Sequence, residues 1–366
     1  MYSFYKYLKP PWLEISLLIL LFLISYTALG LISLGMETPP GGMPAVNIFI
    51  LLLGFFLFSF MIATIAVISG IGGGVLFTPV MLAFTPIDSL IIRATGLVVA
   101  MFSGLISTGP HMKRGIGNLR MSILFAVAYG TGAFFGAQGS IFVWRYLGEE
   151  GEAAIRIALG IIIALVAAYF IFGGQKLEWP KIETVDRFTR WLNLSQSYYE
   201  PSLDRVLEYK VTRAGYALAA IFFVGIISGF FGLGAGWAIV PVQNLVMGVP
   251  LKVAAANSTI LIGMGDCIAV WPYLLAGALI PLFVAPWVVG LVLGGRLGAF
   301  LLYRVKAEFV RLLLIAILFF TSISLVIRGL EILEIIRELP GYVSILIFAA
   351  ILLFVMRSYF KSNCRG

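Results

Sequence analysis

The sequence predicts an all-α polytopic membrane protein, built as an inverted-topology repeat with two broken-helix, re-entrant hairpins. Three observations carry that expectation. Of 366 residues, 61% are hydrophobic and 11% charged, against about 25% charged in an ordinary soluble domain; mean hydropathy is +1.05. Apolar runs of about twenty residues, long enough to cross a hydrocarbon core of about 30 Å as helix, recur from end to end. A glycine–proline frame occurs twice: Gly70, Gly72, Gly74 and Pro79 recur 162 positions on as Gly232, Gly234, Gly236 and Pro241. Each glycine inside a helix costs about 1 kcal/mol relative to alanine, and matched interruptions in two halves of an apolar chain point to a transporter's binding site.

The formal charge of +8 is what the positive-inside rule for cytoplasmic loops produces, so nucleic acid is not expected as a partner. Cys267 lies in an apolar run and Cys364 in the tail. No CxxC or other metal-ligand spacing is present, and neither metal nor cofactor is expected.

Taken in order, 1–45 form a peripheral N-terminal span. Lys6 and Lys9 precede it, Tyr2, Tyr5, Tyr7 and Trp12 are interfacial anchors, and the apolar run 13–34 is too long for a cleaved leader. Pro39-Pro40-Gly41-Gly42 turns the chain. The first repeat, 46–173, opens with the run 46–68, which leads into the glycine stretch. The limb 75–84 returns and is too short to span comfortably. Spans follow at 90–108, 121–143 and 153–172. Residues 174–213 are a polar cytoplasmic linker. Within it Val185, Phe188, Trp191 and Leu192 recur at helical spacing opposite Asp186, Arg187 and Arg190, the pattern of a short amphipathic helix on a membrane surface or of a plain connector. The inverted repeat, 214–330, runs through 214–231, a second glycine stretch, a return limb 237–246, and spans at 253–275, 279–302 and 310–327. The last unit, 331–366, is a C-terminal span and a basic tail.

Counting Lys and Arg fixes the orientation. With both glycine stretches as hairpin tips and the N-terminus inside, 19 of the 25 basic residues are cytoplasmic, five are outside and Arg296 lies within a span. One odd crossing at each break would move Lys113, Arg114 and the linker outside and collapse that bias, whereas full double crossings would give the same parity as hairpins. Both termini are therefore placed in the cytoplasm of a multi-pass inner-membrane protein. Three spans separate the hairpins, so the second half is upside down relative to the first.

A broken helix in lipid leaves backbone groups that only protein or a water-filled cavity can cover. The returning half-helix begins with free N–H groups and a positive dipole end, which together favour an anion, and glycine lets that anion approach the backbone. Gly72, Gly73 and Gly74 at one tip, and Gly234, Ala235 and Gly236 at the other, are the expected donors. The competing reading is that these glycines serve only close helix packing. A Walker-type phosphate loop is excluded by the missing Gly-Lys-Ser/Thr ending.

Ser-Gly-Ile-Gly-Gly-Gly-Val-Leu-Phe-Thr-Pro at Ser69 to Pro79 resembles the opening motif of the sulfite exporter family, TauE/SafE. So do Gly229 to Gly236 with Pro241, and Ala-Asn-Ser-Thr at Ala256 to Thr259. The resemblance runs from about Val46 to Arg328. It implies an inner-membrane transporter moving sulfite or an organosulfonate such as sulfoacetate outward. Two positions depart from the pattern: Arg93-Ala94-Thr95 stands where the family commonly has Gly-Thr-Ser, and Ala235 stands where a third glycine is usual.

Around the tips, Asn257, Ser258 and Thr259 are either neutral donors to the anion or a helix cap. Thr95 is their counterpart in the first half. Gln243 and Asn244 either face the site or join helices. Asp266 is a carboxylate deep in an apolar span, a position that is functional by default; it carries a coupling proton or pairs with Arg296 or a backbone donor. Arg93 is read as a surface anchor or a lure at the exit, and His111 as a solvated loop histidine. The expected function is export of a small sulfur-containing anion by alternating access. Import of sulfate or thiosulfate is the nearest alternative. An intramembrane enzyme finds no HExxH or GxSxG motif to support it. The partners expected are the anion and the lipid bilayer, with a homodimer left open.

Overall fold

A computed structural model of the protein describes residues 12–36, 44–69, 74–85, 87–113, 115–172, 182–200, 205–301 and 307–336. Eleven helices and one β-hairpin are formed among them. They are α1 (Trp12–Leu34), α2 (Ala45–Ser69), α3 (Gly74–Phe84), α4 (Ser89–Lys113), α5 (Leu119–Phe172), α6 (Arg187–Leu192), β1 (Gln196–Glu200), β2 (Arg205–Tyr209), α7 (Ala214–Phe231), α8 (Gly236–Pro241), α9 (Leu251–Leu275), α10 (Pro281–Leu301) and α11 (Ala307–Ile332). Gly72 and Gly73, the span expected at 342–356 and the basic tail lie outside the described residues.

Among the described residues, six helices are long and apolar enough to cross a membrane, and α1 and α10 carry shorter apolar stretches. The 54 residues of α5 would reach about 80 Å at 1.5 Å per residue, more than twice a hydrocarbon core. The chain therefore folds back on itself at Gly148, where φ 51° and ψ −129° belong to a region that essentially only glycine occupies. Trp144 to Glu150 around it are exposed and carry Arg145, Glu149 and Glu150, so the bend falls where charge meets water. The two spans expected at 121–143 and 153–172 are the arms of this bend.

Leucines, isoleucines and phenylalanines are exposed along α1, α2, α5 and α7, far beyond what a water-soluble surface tolerates and suited to acyl chains. α1 rests on α2, with Tyr26 bonded to the Leu52 carbonyl at 3.3 Å and its ring tilted over Phe49. Inside, Trp287 of α10 is wholly buried, stacked by Phe55 at 5.2 Å and met edge-on by Phe77 at 4.5 Å. This core ties α2, α3 and α10 to Phe231 and Leu233 at the end of α7.

Small residues let backbones touch between the halves. A Cβ on Gly132 would lie 2.1 Å from the Phe222 carbonyl oxygen, where α5 crosses α7. A Cβ on Gly294 would lie 2.2 Å from the Phe60 carbonyl oxygen, where α10 crosses α2. Shifting Gly132 forward by 162 positions and Phe222 back by 162 turns one contact into the other. The two halves thus exchange equivalent surfaces.

The linker is more structured than a connector. Asp186 caps α6, accepting from Thr189 N–H at 3.1 Å and Thr189 Oγ1 at 2.6 Å. The helix has six residues, with Phe188 and Trp191 exposed. Behind it β1 and β2 pair antiparallel, which the helical periodicity did not foretell. Tyr198, Tyr209 and Leu194 bury themselves in the same core as α5, α7 and α9.

Candidate functional site

Each half contains a helix break followed by a short helical limb. In the first, α2 ends at Ser69 and α3 begins at Gly74. In the second, α7 ends at Phe231 and Gly232 takes the left-handed conformation, φ 68°. Its N–H and that of Leu233 both donate to the Ser228 carbonyl, the double closure that glycine-ended helices make. α8 then starts at Gly236, with Ala235 as its cap residue. Pro241 lacks an N–H, and the helix continues as one π-helical turn, Val242–Val246. The limbs 74–84 and 236–246 are therefore the same length, 162 positions apart.

The limb α3 touches the second break. Thr78 Oγ1 on α3 donates to the Gly232 carbonyl at 2.5 Å. Gly96 on α4 permits this: a Cβ there would sit 2.0 Å from Thr78 Oγ1 and 2.4 Å from the Gly232 oxygen. A Cβ on Gly232 itself would lie 2.4 Å from the Arg93 carbonyl oxygen. Gly232 to Ala235 are buried, so the second tip is closed off from solvent in this conformation.

The candidate side chains divide into two groups. Thr95, beside Gly96, is buried near the tips, and its hydroxyl bonds back to the Ile91 carbonyl at 2.8 Å. Ser258 and Thr259 likewise turn onto their own helix, toward Ala255 and Ala256, a habit of hydroxyls inside helices. Gln243 and Asn244 lie farther along the limb, about 10 Å from Gly236 at helical rise. Asn244 Nδ2 donates to the Val249 carbonyl at 2.8 Å. Gln243 Oε1 accepts from Asn257 Nδ2 at 3.4 Å, and its Nε2 is buried with no partner. Asn257 Oδ1 accepts from Asn118 N–H at 2.7 Å and from Ser122 Oγ at 3.3 Å. Asn118 Nδ2 in turn donates to Leu194 O and Tyr209 Oη. This network joins the base of the limb to α5 and to the linker hairpin. The capping role weighed for Asn257 is overturned: α9 begins at Leu251 behind Pro250, placing Asn257 inside the helix.

Arg93 corrects a second expectation. It is fully buried rather than a surface anchor. Its Nε donates to Ser89 O at 3.1 Å, Nη2 to Ser89 Oγ at 2.7 Å and Nη1 to Ser140 Oγ at 2.6 Å. Glu152 lies 3.7 Å away and also pairs with Arg156 at 2.7 Å. The guanidinium thus clamps α4 to both arms of α5.

Asp266 is fully buried in α9. Its structural partner is Tyr129 on α5, whose hydroxyl lies 2.7 Å from Asp266 Oδ1 and 2.7 Å from Ser228 Oγ. Ser228 Oγ also contacts the Leu233 carbonyl in the second break. The sequence reading missed Tyr129, Ser228 and Thr78. A tyrosine deep in the span 121–143 was the available signal for the first.

Paired helix breaks inside a helical bundle that exposes its apolar side chains define a membrane transporter. The comparisons make this particular. Residues 55–325 match the model of the sulfite exporter TauE/SafE family, and the chain belongs to that family. It is similar to the "Probable membrane transporter protein YunE" of Bacillus subtilis (strain 168), with 22% identity over 274 residues, 73% of this chain and 94% of that protein. No solved structure matches.

Proposed function

We propose that this transporter exports a small sulfur-containing anion, sulfite or an organosulfonate such as sulfoacetate, by alternating access between inverted repeats. It does no covalent chemistry on its cargo. The reading rests on the contact between the first limb and the second break through Thr78 and Gly232. Two limbs of equal length follow the two breaks, and in this reading their first N–H groups converge on one negative guest. The exchange of equivalent contacts between the halves supports a repeat, and the cytoplasmic weighting of Lys and Arg supports its inversion. The buried second tip corresponds to a closed state that opens as one repeat rocks against the other. Export of an anion runs downhill in an inside-negative potential, by about 2.3 kcal/mol per charge per 100 mV.

Labelled sulfite flux in proteoliposomes tests the proposal. Wild-type protein is expected to move it, and Gly73→Leu and Gly234→Leu chains that still elute as single species are expected not to. Normal flux in both variants would remove the bends from the site.

A further inference from the structure

The polar line that runs from Asp266 to the second break contains more contacts than its hydroxyl protons can serve. Its order is Asp266 Oδ1, Tyr129 Oη, Ser228 Oγ and the Leu233 carbonyl oxygen, with 2.7 Å at each of the first two links and a direct contact at the third. Tyr129 is held in line by glycines. A Cβ on Gly265 would meet its ring at 2.3 Å, and one on Gly225 would meet its carbonyl oxygen at 2.3 Å.

Each link needs one proton between its two oxygens. The Leu233 carbonyl has none to give, and the two hydroxyls have one each. With Asp266 ionised, two protons must serve three links, and one pair of buried oxygens faces lone pair to lone pair. With Asp266 protonated the count closes: Asp266 donates to Tyr129, Tyr129 to Ser228, and Ser228 to Leu233. A second observation agrees. Asp266 Oδ2 is buried without a partner, tolerable for a neutral acid but costly for a carboxylate, which places about half its charge there.

We propose that Asp266 holds a proton in this conformation, and that Tyr129 and Ser228 report its presence to the second helix break, so that anion export is proton-linked. When the proton leaves to solvent, Tyr129 turns its hydrogen to the carboxylate and Ser228 turns its own to Tyr129. The Leu233 carbonyl then loses its donor and the break is freed to rearrange. Because the same break is read as holding the anion, proton and anion occupancy bias one another reciprocally. This step rests on the function proposed above.

The titratable group in contact with Asp266 is Tyr129 of α5. Cys267 is its neighbour on α9, with its thiol turned to the Gly263 carbonyl at 3.1 Å, and Tyr273, two turns further on, donates to the Gly229 carbonyl at 2.8 Å. Of the titratable groups of α4, which packs against α9, Arg93 is taken up by Ser89, Ser140 and Glu152, and His111 and Lys113 sit in the helix's last turn. α8, α7 near Ser228 and the π-helical turn bring no ionisable side chain.

Two readouts on the full-length protein in proteoliposomes test the proposal. Infrared spectra at neutral pH are expected to show a protonated-carboxyl C=O stretch that disappears in Asp266→Asn and shifts in Tyr129→Phe, where the acid loses its acceptor. Absence of that band in wild type, or its persistence in Asp266→Asn, overturns the proposal whether or not sulfite moves. If the Asn variant fails to fold, the Tyr129→Phe shift decides in its place, and an unmoved band overturns it. In flux assays at clamped membrane potential, one pH unit is a tenfold proton ratio. Wild-type sulfite accumulation is expected to change by about tenfold and Asp266→Asn by less than about twofold. Sulfite flux with an equal pH response in both chains overturns the proton link and leaves the exporter reading intact. Failure of wild type to move sulfite at all, with the band present, strikes the exporter reading alone.

Discussion

Gly96→Ala adds one methyl group at the place where the two halves touch. The new Cβ would lie 2.4 Å from the Gly232 carbonyl oxygen and 2.0 Å from Thr78 Oγ1, where ordinary contact begins at 3.4 Å. Thr78 can rotate away, at the expense of its 2.5 Å bond to Gly232. The Gly232 carbonyl is backbone in a glycine-dependent turn and must retreat by about 1 Å, the gap between 2.4 and 3.4 Å. Overpacking of this kind costs about 1–3 kcal/mol, and a buried carbonyl stripped of its donor about 1–3 kcal/mol more. The expected loss is about 2–4 kcal/mol, because relaxing one problem partly relieves the other. Gly54→Ala is the matched control, since a Cβ there meets nothing within 4 Å. Denaturation by SDS, followed by circular dichroism in mixed micelles, measures both. Equal midpoints for Gly96→Ala and Gly54→Ala would refute the packing of α3 and α4 against the second break.

Removing the buried guanidinium in Arg93→Met leaves Glu152 with Arg156 alone and Ser140 without its donor; losing one member of such a cluster costs about 3–5 kcal/mol. Arg93→Lys is expected to fall close to it, because an ammonium cannot span Ser89 and Ser140 as the guanidinium fork does, and the same SDS titration ranks the two. At Asp186, outside the membrane, burial pushes the carboxyl up. Bonds from Thr189 Oγ1, Thr189 N–H, Arg213 N–H and Thr212 Oγ1 outweigh it and hold the group near 2, against an ordinary 3.8. A folded value below the unfolded one stabilises above 3.8, and that help is lost as pH falls through about 2. The melting difference between wild type and Asp186→Asn should accordingly be constant above pH 4 or so and vanish toward about 2; a difference that grows on acidification would contradict the assignment.

Composition and spacing revealed the helical class and the paired helix breaks because lipid punishes every interruption of a helix, so each one stands out against an apolar background. Gly148 itself was less visible: the spans at 121–143 and 153–172 called for a turn between them, but a single glycine in a charged turn looks like many others. The β-hairpin at 196–209 was hidden for a different reason. Tyr198 and Tyr209 gain their burial from α5 and α7, a tertiary effect that strand propensity does not anticipate. Asp266 stood out as an ionisable group at depth, but its partner came from another helix, 137 positions away. Arg93 was misread because the helix that carries it starts near the surface, while Ser140 and Glu152, which receive it, lie far off in sequence. The capping alternative for Asn257 rested on residue type alone, and Pro250 sets the helix start earlier.

Backbone N–H groups at the second bend are asked to hold the anion, so their exchange with deuterium reads that contact without passing through flux. Residues 232–236 and the matching stretch 70–74 are expected to exchange more slowly in the presence of sulfite or sulfoacetate than in chloride, with other helices little changed. Protection that appears only elsewhere, with both stretches exchanging as before, would contradict the account.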